Sequence, residues 1–79
     1  MNNFVNLGFK NFVAVNKIVS VMSPDTASSL RLSSEARDNN KFASFTFRRK
    51  TKSLILTTDK FVFASALTPE TIIKRIESS

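Results

Sequence analysis

Phe42-Ala43-Ser44-Phe45-Thr46-Phe47, Arg48-Arg49-Lys50-Thr51-Lys52-Ser53 and Leu54-Ile55-Leu56-Thr57 follow one another without a break, and their reading decides the fold. The first six residues alternate with period two: Ala43, Phe45 and Phe47 share one face, Phe42, Ser44 and Thr46 the other. That is the pattern of a half-buried strand, and it assigns the Phe47 ring to the core rather than to stacking on a base. Leu54–Thr57 and Phe61-Val62-Phe63-Ala64 read as two further strands, joined through Thr58-Asp59-Lys60 as a tight hairpin.

The link between the first two of these strands is unusual. A strand connection commonly uses Gly, Asn, Asp or Pro, which supply a positive or a preset φ. Residues 48–53 contain none of them, and four of the chain's twelve basic residues fall within five positions there. Crowded like charges repel unless an anion offsets them, and nucleic-acid phosphates are the anion this predicts. The bland alternative is solubilising charge that guards a sheet edge. Adjacent arginines favour the phosphate reading, because a guanidinium chelates phosphate where an ammonium does not. Lys10 and Lys17 lie in loops of the N-terminal strands and are expected at the same end of the sheet.

Working outward, Phe4–Leu7 is a short strand stopped by Gly8, the only glycine. Phe12–Val15 and Ile18–Met22 read as strands parted by a turn or bulge at Asn16-Lys17. Ser23-Pro24-Asp25-Thr26 predicts a helix start, with Ser23 as N-cap and Pro24 in the first turn. This helix is expected to end near Asp38, with a thin apolar stripe of Ala27, Leu30 and Ala36. Its four serines give it little intrinsic propensity, so it needs a sheet or a neighbouring subunit beneath it. Thr68-Pro69-Glu70-Thr71 opens a second helix, whose buried stripe is Ile72, Ile73 and Ile76. Strands, helix, strands, helix, with short links, predict an α+β fold: a small, largely antiparallel sheet with two helices, one domain over residues 1–79.

A chain of 79 residues buries only about 60% of its unfolded surface, so its core is marginal alone. Cys and His are both absent, which excludes disulfides and any thiolate or imidazole metal site. Oligomerisation is the remedy left, and some of the eight Phe rings are expected at a subunit interface. The net charge of +6 favours an anionic partner, nucleic acid before a membrane surface. No apolar run reaches the roughly 18 residues of a bilayer span, and Met1-Asn2-Asn3-Phe4 lacks the features of a leader. A cytoplasmic protein is expected.

Catalysis is poorly supported. The six carboxylates are scattered over predicted helix starts and turns, and no base or nucleophile of the usual kinds accompanies them. The expectation is a non-enzyme with no cofactor, no metal and no small-molecule substrate.

Five stretches, in order, resemble the RemA family, bacterial regulators of extracellular-matrix genes. Asn6-Leu7-Gly8-Phe9-Lys10-Asn11 is similar to its Asn-Ile-Gly-Phe-Gly-Asn, and Ser23-Pro24-Asp25-Thr26-Ala27 to its Ser-Pro-Glu-Ser-Ala. Glu35-Ala36-Arg37-Asp38 is similar to Asp-Ala-Arg-Asp, and Thr46-Phe47-Arg48-Arg49-Lys50-Thr51-Lys52 to Thr-Tyr-Gly-Arg-Arg-Thr-Arg. Ser65-Ala66-Leu67-Thr68-Pro69-Glu70-Thr71 follows Ser-Ala-Val-Gln-Pro-Glu-Thr. The resemblance implies a nucleoid-associated activator of biofilm-matrix operons that assembles into a ring-like homo-oligomer and bends or wraps double-stranded DNA. It also implies a DNA-contacting pair at Arg49 and Lys50 and a third contact at Lys17. Arg48 and Lys10 each replace a glycine of the pattern, which adds a charge and predicts a different turn geometry there. Lys50 and Lys17 stand where the family has Arg, which weakens bidentate contact. Ala27-Ser28-Ser29-Leu30-Arg31 replaces the family's Ala-Pro-x-Lys-Arg.

The expected DNA-binding set is therefore Lys10, Lys17, Arg48, Arg49, Lys50 and Lys52. The rival expectations are an RNA-binding or ribosome-associated protein, and a ring-forming scaffold for an acidic protein.

Overall fold

The computed structural model describes residues 3–78. Met1 and Asn2, part of the stretch read for a leader, lie outside it, as does Ser79. The described residues form an α+β fold with two α-helices and two sheets. Strands β1 (Phe4–Asn6) and β2 (Phe12–Ala14) form an antiparallel hairpin. A 3-10 turn at Val15–Lys17 fills the predicted break and leads into β3 (Ile18–Met22). Helix α1 (Ala27–Asp38), β4 (Phe42–Phe45), β5 (Ser53–Thr57), β6 (Val62–Ser65) and α2 (Pro69–Ser78) follow.

The four-stranded sheet has the order β3-β5-β6-β4. Pairings β3·β5 and β5·β6 are antiparallel, but β4 runs parallel to β6, so the sheet is mixed rather than uniformly antiparallel. Strand β4 cannot pair with β5, because the hairpin at Thr58-Asp59-Lys60 gives that edge of β5 to β6. The basic link must therefore cross the C-terminal end of β6 to reach β5.

β5 lies under both layers. Leu54 faces α1, packing with Ala36, Val62 and Ala64, while Ile55 faces the hairpin and α2, packing with Val5, Leu7 and Ile72. That explains its unbroken apolar run, since a strand covered on both faces has no reason to alternate.

Helix α1 departs from its predicted start and stripe. Its N-cap is Thr26, not Ser23: the Thr26 hydroxyl accepts from the Ser29 N–H at 3.1 Å, and the Ser29 hydroxyl accepts from the Thr26 N–H at 3.3 Å. This reciprocal box satisfies two of the donors that every helix start leaves orphaned, which Ser23 is too early in the chain to do. The buried stripe is Ser29, Ser33 and Ala36, and Leu30 points outward at 59% exposed. Serine is tolerated inside because each hydroxyl returns to the helix, Ser33 donating to the Leu30 carbonyl at 3.0 Å. In α2, Ile72 is fully buried and Ile76 packs beside it, but Ile73 is largely exposed.

Candidate nucleic-acid interface

β4 ends at Phe45, two residues before the alternation does, and Phe47 is not core: it is 79% exposed. The Arg49 N–H donates to the Thr46 carbonyl at 2.9 Å, closing a turn whose central residues Phe47 and Arg48 have φ of 51° and 70°. Two successive positive φ values are the signature of a type I′ turn, which reverses the chain and lifts the ring out of the strand's alternation. Thr46 is buried beneath, its hydroxyl 2.9 Å from that of Ser44.

The β1–β2 connection repeats this geometry. Asn11 N–H donates to the Gly8 carbonyl at 3.0 Å, and Phe9 and Lys10 between them have φ of 51° and 66°. Lys10 and Arg48, which stand for two glycines of the resembled pattern, both adopt the left-handed backbone that glycine favours. Side chains hold this turn: the Asn6 carboxamide oxygen accepts from the Gly8 N–H at 2.8 Å, and the Asn11 amide donates to the Gly8 carbonyl at 2.9 Å. Gly8 itself sits at φ 119°, a conformation that a side chain would strain.

The two turns meet at one end of the sheet. The Phe9 and Phe47 rings lie 5.3 Å apart, and the Arg49 guanidinium lies 5.8 Å from the Phe9 centroid, within cation–π range. Past the turn, the loop is anchored by the Lys52 N–H, which donates to the Ser65 carbonyl at 2.8 Å, and by the Ser53 hydroxyl on the Leu67 carbonyl at 2.8 Å. Arg49, Lys50 and Lys52 with Ala66 line one open depression. Lys10, Arg48, Arg49, Lys50 and Lys52 are all exposed, so their charges cost little desolvation as they stand.

Lys17 is elsewhere. Its carbonyl accepts from the Thr58 N–H at 2.8 Å, which puts it beside the β5–β6 hairpin at the opposite end of the sheet. Ser53 and Thr57 bound β5, so the two ends are about 13 Å apart at the usual rise per residue. The expected shared end for Lys10 and Lys17 is therefore corrected: the 3-10 turn after β2 carries the chain to the far end before β3 begins.

Arg75 is the cation that sequence reasoning missed. It sits on α2, donates to the Asn6 carbonyl at 2.8 Å, and shares a second depression with Phe9 and Arg49. Only its position past the buried Ile72, on the helix's exposed side, hinted at it; nothing local joins it to a turn 69 residues away.

Among the described residues, no helix is long and apolar enough to cross a membrane. A family model described as extracellular matrix regulatory protein A-like (RemA-like) matches residues 4–76. A relative from Oceanobacillus iheyensis is 40% identical over 77 residues, covering 98% of this chain and 90% of its own. One from Brevibacillus brevis is 40% identical over 72 residues, covering 91% and 84%. A third, from Trichormus variabilis, is 38% identical over 71 residues, covering 90% and 81%. Each of the three carries the name "putative regulatory protein".

Proposed function

We propose that this chain, which belongs to the RemA-like family, is a homo-oligomeric, non-enzymatic regulator that binds double-stranded DNA through the loop Arg48–Lys52 and acts on extracellular-matrix genes. One observation carries the reading: the two left-handed turns and the loop anchor gather Lys10, Arg48, Arg49, Lys50 and Lys52 at one end of the sheet. Exposed cations so crowded are held apart from any acid of their own segment, and a phosphate backbone offsets them all at once. The family's description and the regulatory names of the relatives agree with this role.

Oligomerisation is supported by the small core of a 79-residue chain and by the exposed rings of Phe4 and Phe12. Lys17 and the basic loop lie at opposite ends of one sheet, so each subunit offers DNA two separate contacts. A ring is the arrangement the family resemblance favours. Each subunit then adds a few weak phosphate contacts, and the contacts sum through multivalency. Specificity comes from DNA shape and deformability, since neither helix presents a row of base-reading side chains to a groove.

The exposed Phe9 and Phe47 rings favour a second reading, an RNA-binding protein that stacks unpaired bases. Fluorescence anisotropy of labelled duplex DNA over a salt series, with unlabelled RNA as competitor, separates the two. The expected result is steeply salt-dependent duplex binding, abolished in Arg49→Ala/Lys50→Ala and little affected by RNA. Duplex binding that survives the double substitution with its salt slope unchanged would remove the loop as the site. Preferential displacement by RNA would move the protein to the second reading.

A further inference from the structure

We propose that Phe47, braced by Phe9, is an aromatic wedge that enters an opened base step of bound duplex DNA. The proposal rests on the duplex-binding reading above and adds the group that deforms the DNA.

Phe47 is the most exposed large apolar side chain among the described residues, at 79%. Its exposure is built into the backbone. Thr46 is buried, the Thr46–Arg49 hydrogen bond closes the turn, and the positive φ values at Phe47 and Arg48 point the ring away from the sheet. A bulky residue in left-handed backbone is strained, and an exposed phenyl ring gives up its burial, so the arrangement is unfavourable twice over in the free protein. Phe9 limits the ring's freedom, with its centroid 5.3 Å away and its plane tilted by 32°. Phe9 is itself held by the Arg49 guanidinium and is less exposed, at 47%.

The surroundings decide the occupant. Arg48 and Arg49 follow Phe47 directly, Lys50 comes next, and Lys10 follows Phe9 in the facing turn. A protein surface covering the ring would have to desolvate Lys10 and Lys50 as well as the arginines, and lysine is depleted at the centres of protein interfaces. A second copy docked through this same patch would set its cations against their own counterparts. Duplex DNA meets both demands in one ligand, with base faces for the ring and phosphates on either side for the cations. The geometry also separates a wedge from a platform. A single-strand platform offers successive rings on which successive bases stack. Here one ring projects and its tilted neighbour buttresses it, which suits insertion at one step and a kink there.

The test uses the full chain with end-labelled duplexes carrying 2-aminopurine at successive positions, and compares wild type with Phe47→Ala and Phe47→Trp. Anisotropy gives affinity and salt slope, 2-aminopurine brightening reports unstacking, end-to-end energy transfer reports bending, and sedimentation reports assembly. The wild type is expected to brighten one or more positions and shorten the end-to-end distance. Phe47→Ala is expected to bind about tenfold more weakly, the usual loss when one stacking ring is removed. Its salt slope and sedimentation should be unchanged, while brightening and bending are lost; Phe47→Trp should restore both. Wild-type affinity and wild-type brightening in Phe47→Ala would overturn the wedge, and so would an altered sedimentation profile, which would make the ring a subunit contact. Phe47-dependent preference for single strands would overturn it in favour of a stacking platform. Wild-type protein that binds no duplex removes the regulator reading and the wedge together. Binding that needs Arg49 but not Phe47 removes the wedge alone.

Discussion

The hydroxyl of the fully buried Ser65 donates to the Leu7 carbonyl at 2.6 Å and accepts from the Leu67 N–H at 3.1 Å. It joins segments 58 positions apart and seats the hairpin that carries Phe9 and Lys10 on the end of β6. The carbonyl of the same residue anchors Lys52 at the end of the basic loop. Both halves of the candidate interface thus hang on Ser65.

Ser65→Ala leaves a buried carbonyl and a partly buried N–H without that partner. A loss of about 1–3 kcal/mol is expected, read as a lower urea midpoint with unchanged slope. A domain whose whole stability is about 5–15 kcal/mol feels that strongly. An unchanged midpoint would show that the hydroxyl is not what seats the hairpin.

Arg48→Gly separates backbone strain from charge. Glycine removes a left-handed penalty of about 1–2 kcal/mol and adds back about 0.5–1 kcal/mol of unfolded-chain freedom. The melting temperature should rise by a few degrees. On the proposed duplex reading, the salt slope of binding should fall by about one per subunit bound, the share of one phosphate contact. Destabilisation would show that the arginine side chain holds the turn by contacts worth more than the strain.

Arg75→Ala tests the cation contributed by α2. The hydrogen bond to the Asn6 carbonyl is solvent-exposed, so the stability cost should stay under about 1 kcal/mol. Duplex affinity should fall, by less than in Arg49→Ala, with a shallower salt slope. Unaltered affinity would confine Arg75 to a structural role.

If the protein binds duplex DNA as proposed, Lys17→Ala and Arg49→Ala should be additive in binding free energy to within about 0.5 kcal/mol, because the two cations lie at opposite ends of the sheet and would face different phosphates. The double-mutant cycle is measured by anisotropy at fixed salt. A larger coupling would mean that assembly brings Lys17 of one copy against Arg49 of the next.

Thr26→Ala should cost about 1 kcal/mol through loss of the α1 cap, and Ser23→Ala almost nothing. Thermal melts of the pair decide between the two cap assignments. Equal effects would mean that the box at Thr26 and Ser29 contributes little.

The basic loop was legible because charge run and strand pattern are both local. The same holds for the hairpin at Thr58-Asp59-Lys60, for the end of α1 near Asp38 and for the second helix from Pro69. The α1 stripe was misread because hydropathy ranks Leu30 above Ser29 and Ser33. The buried hydroxyls bond within their own helix, which removes the penalty that the ranking assumes. Phe47 was misread because period-two alternation says which side chains share a face but not where the strand stops.

By itself, the sequence determined the α+β class, the positions of the helices and most strands, the cationic loop and the family, all of which rest on neighbours along the chain. Tertiary structure alone decided the parallel pairing of β4 with β6, the outward turn of Phe47, the far placement of Lys17 and the arrival of Arg75 beside Phe9 and Arg49. Phe47 turns outward where the Thr46–Arg49 bond ends the strand, and the other three depend on groups distant in the chain competing for one sheet edge or one carbonyl. Such a competition is settled by three-dimensional packing and leaves no periodic trace in the residues that lose or win it.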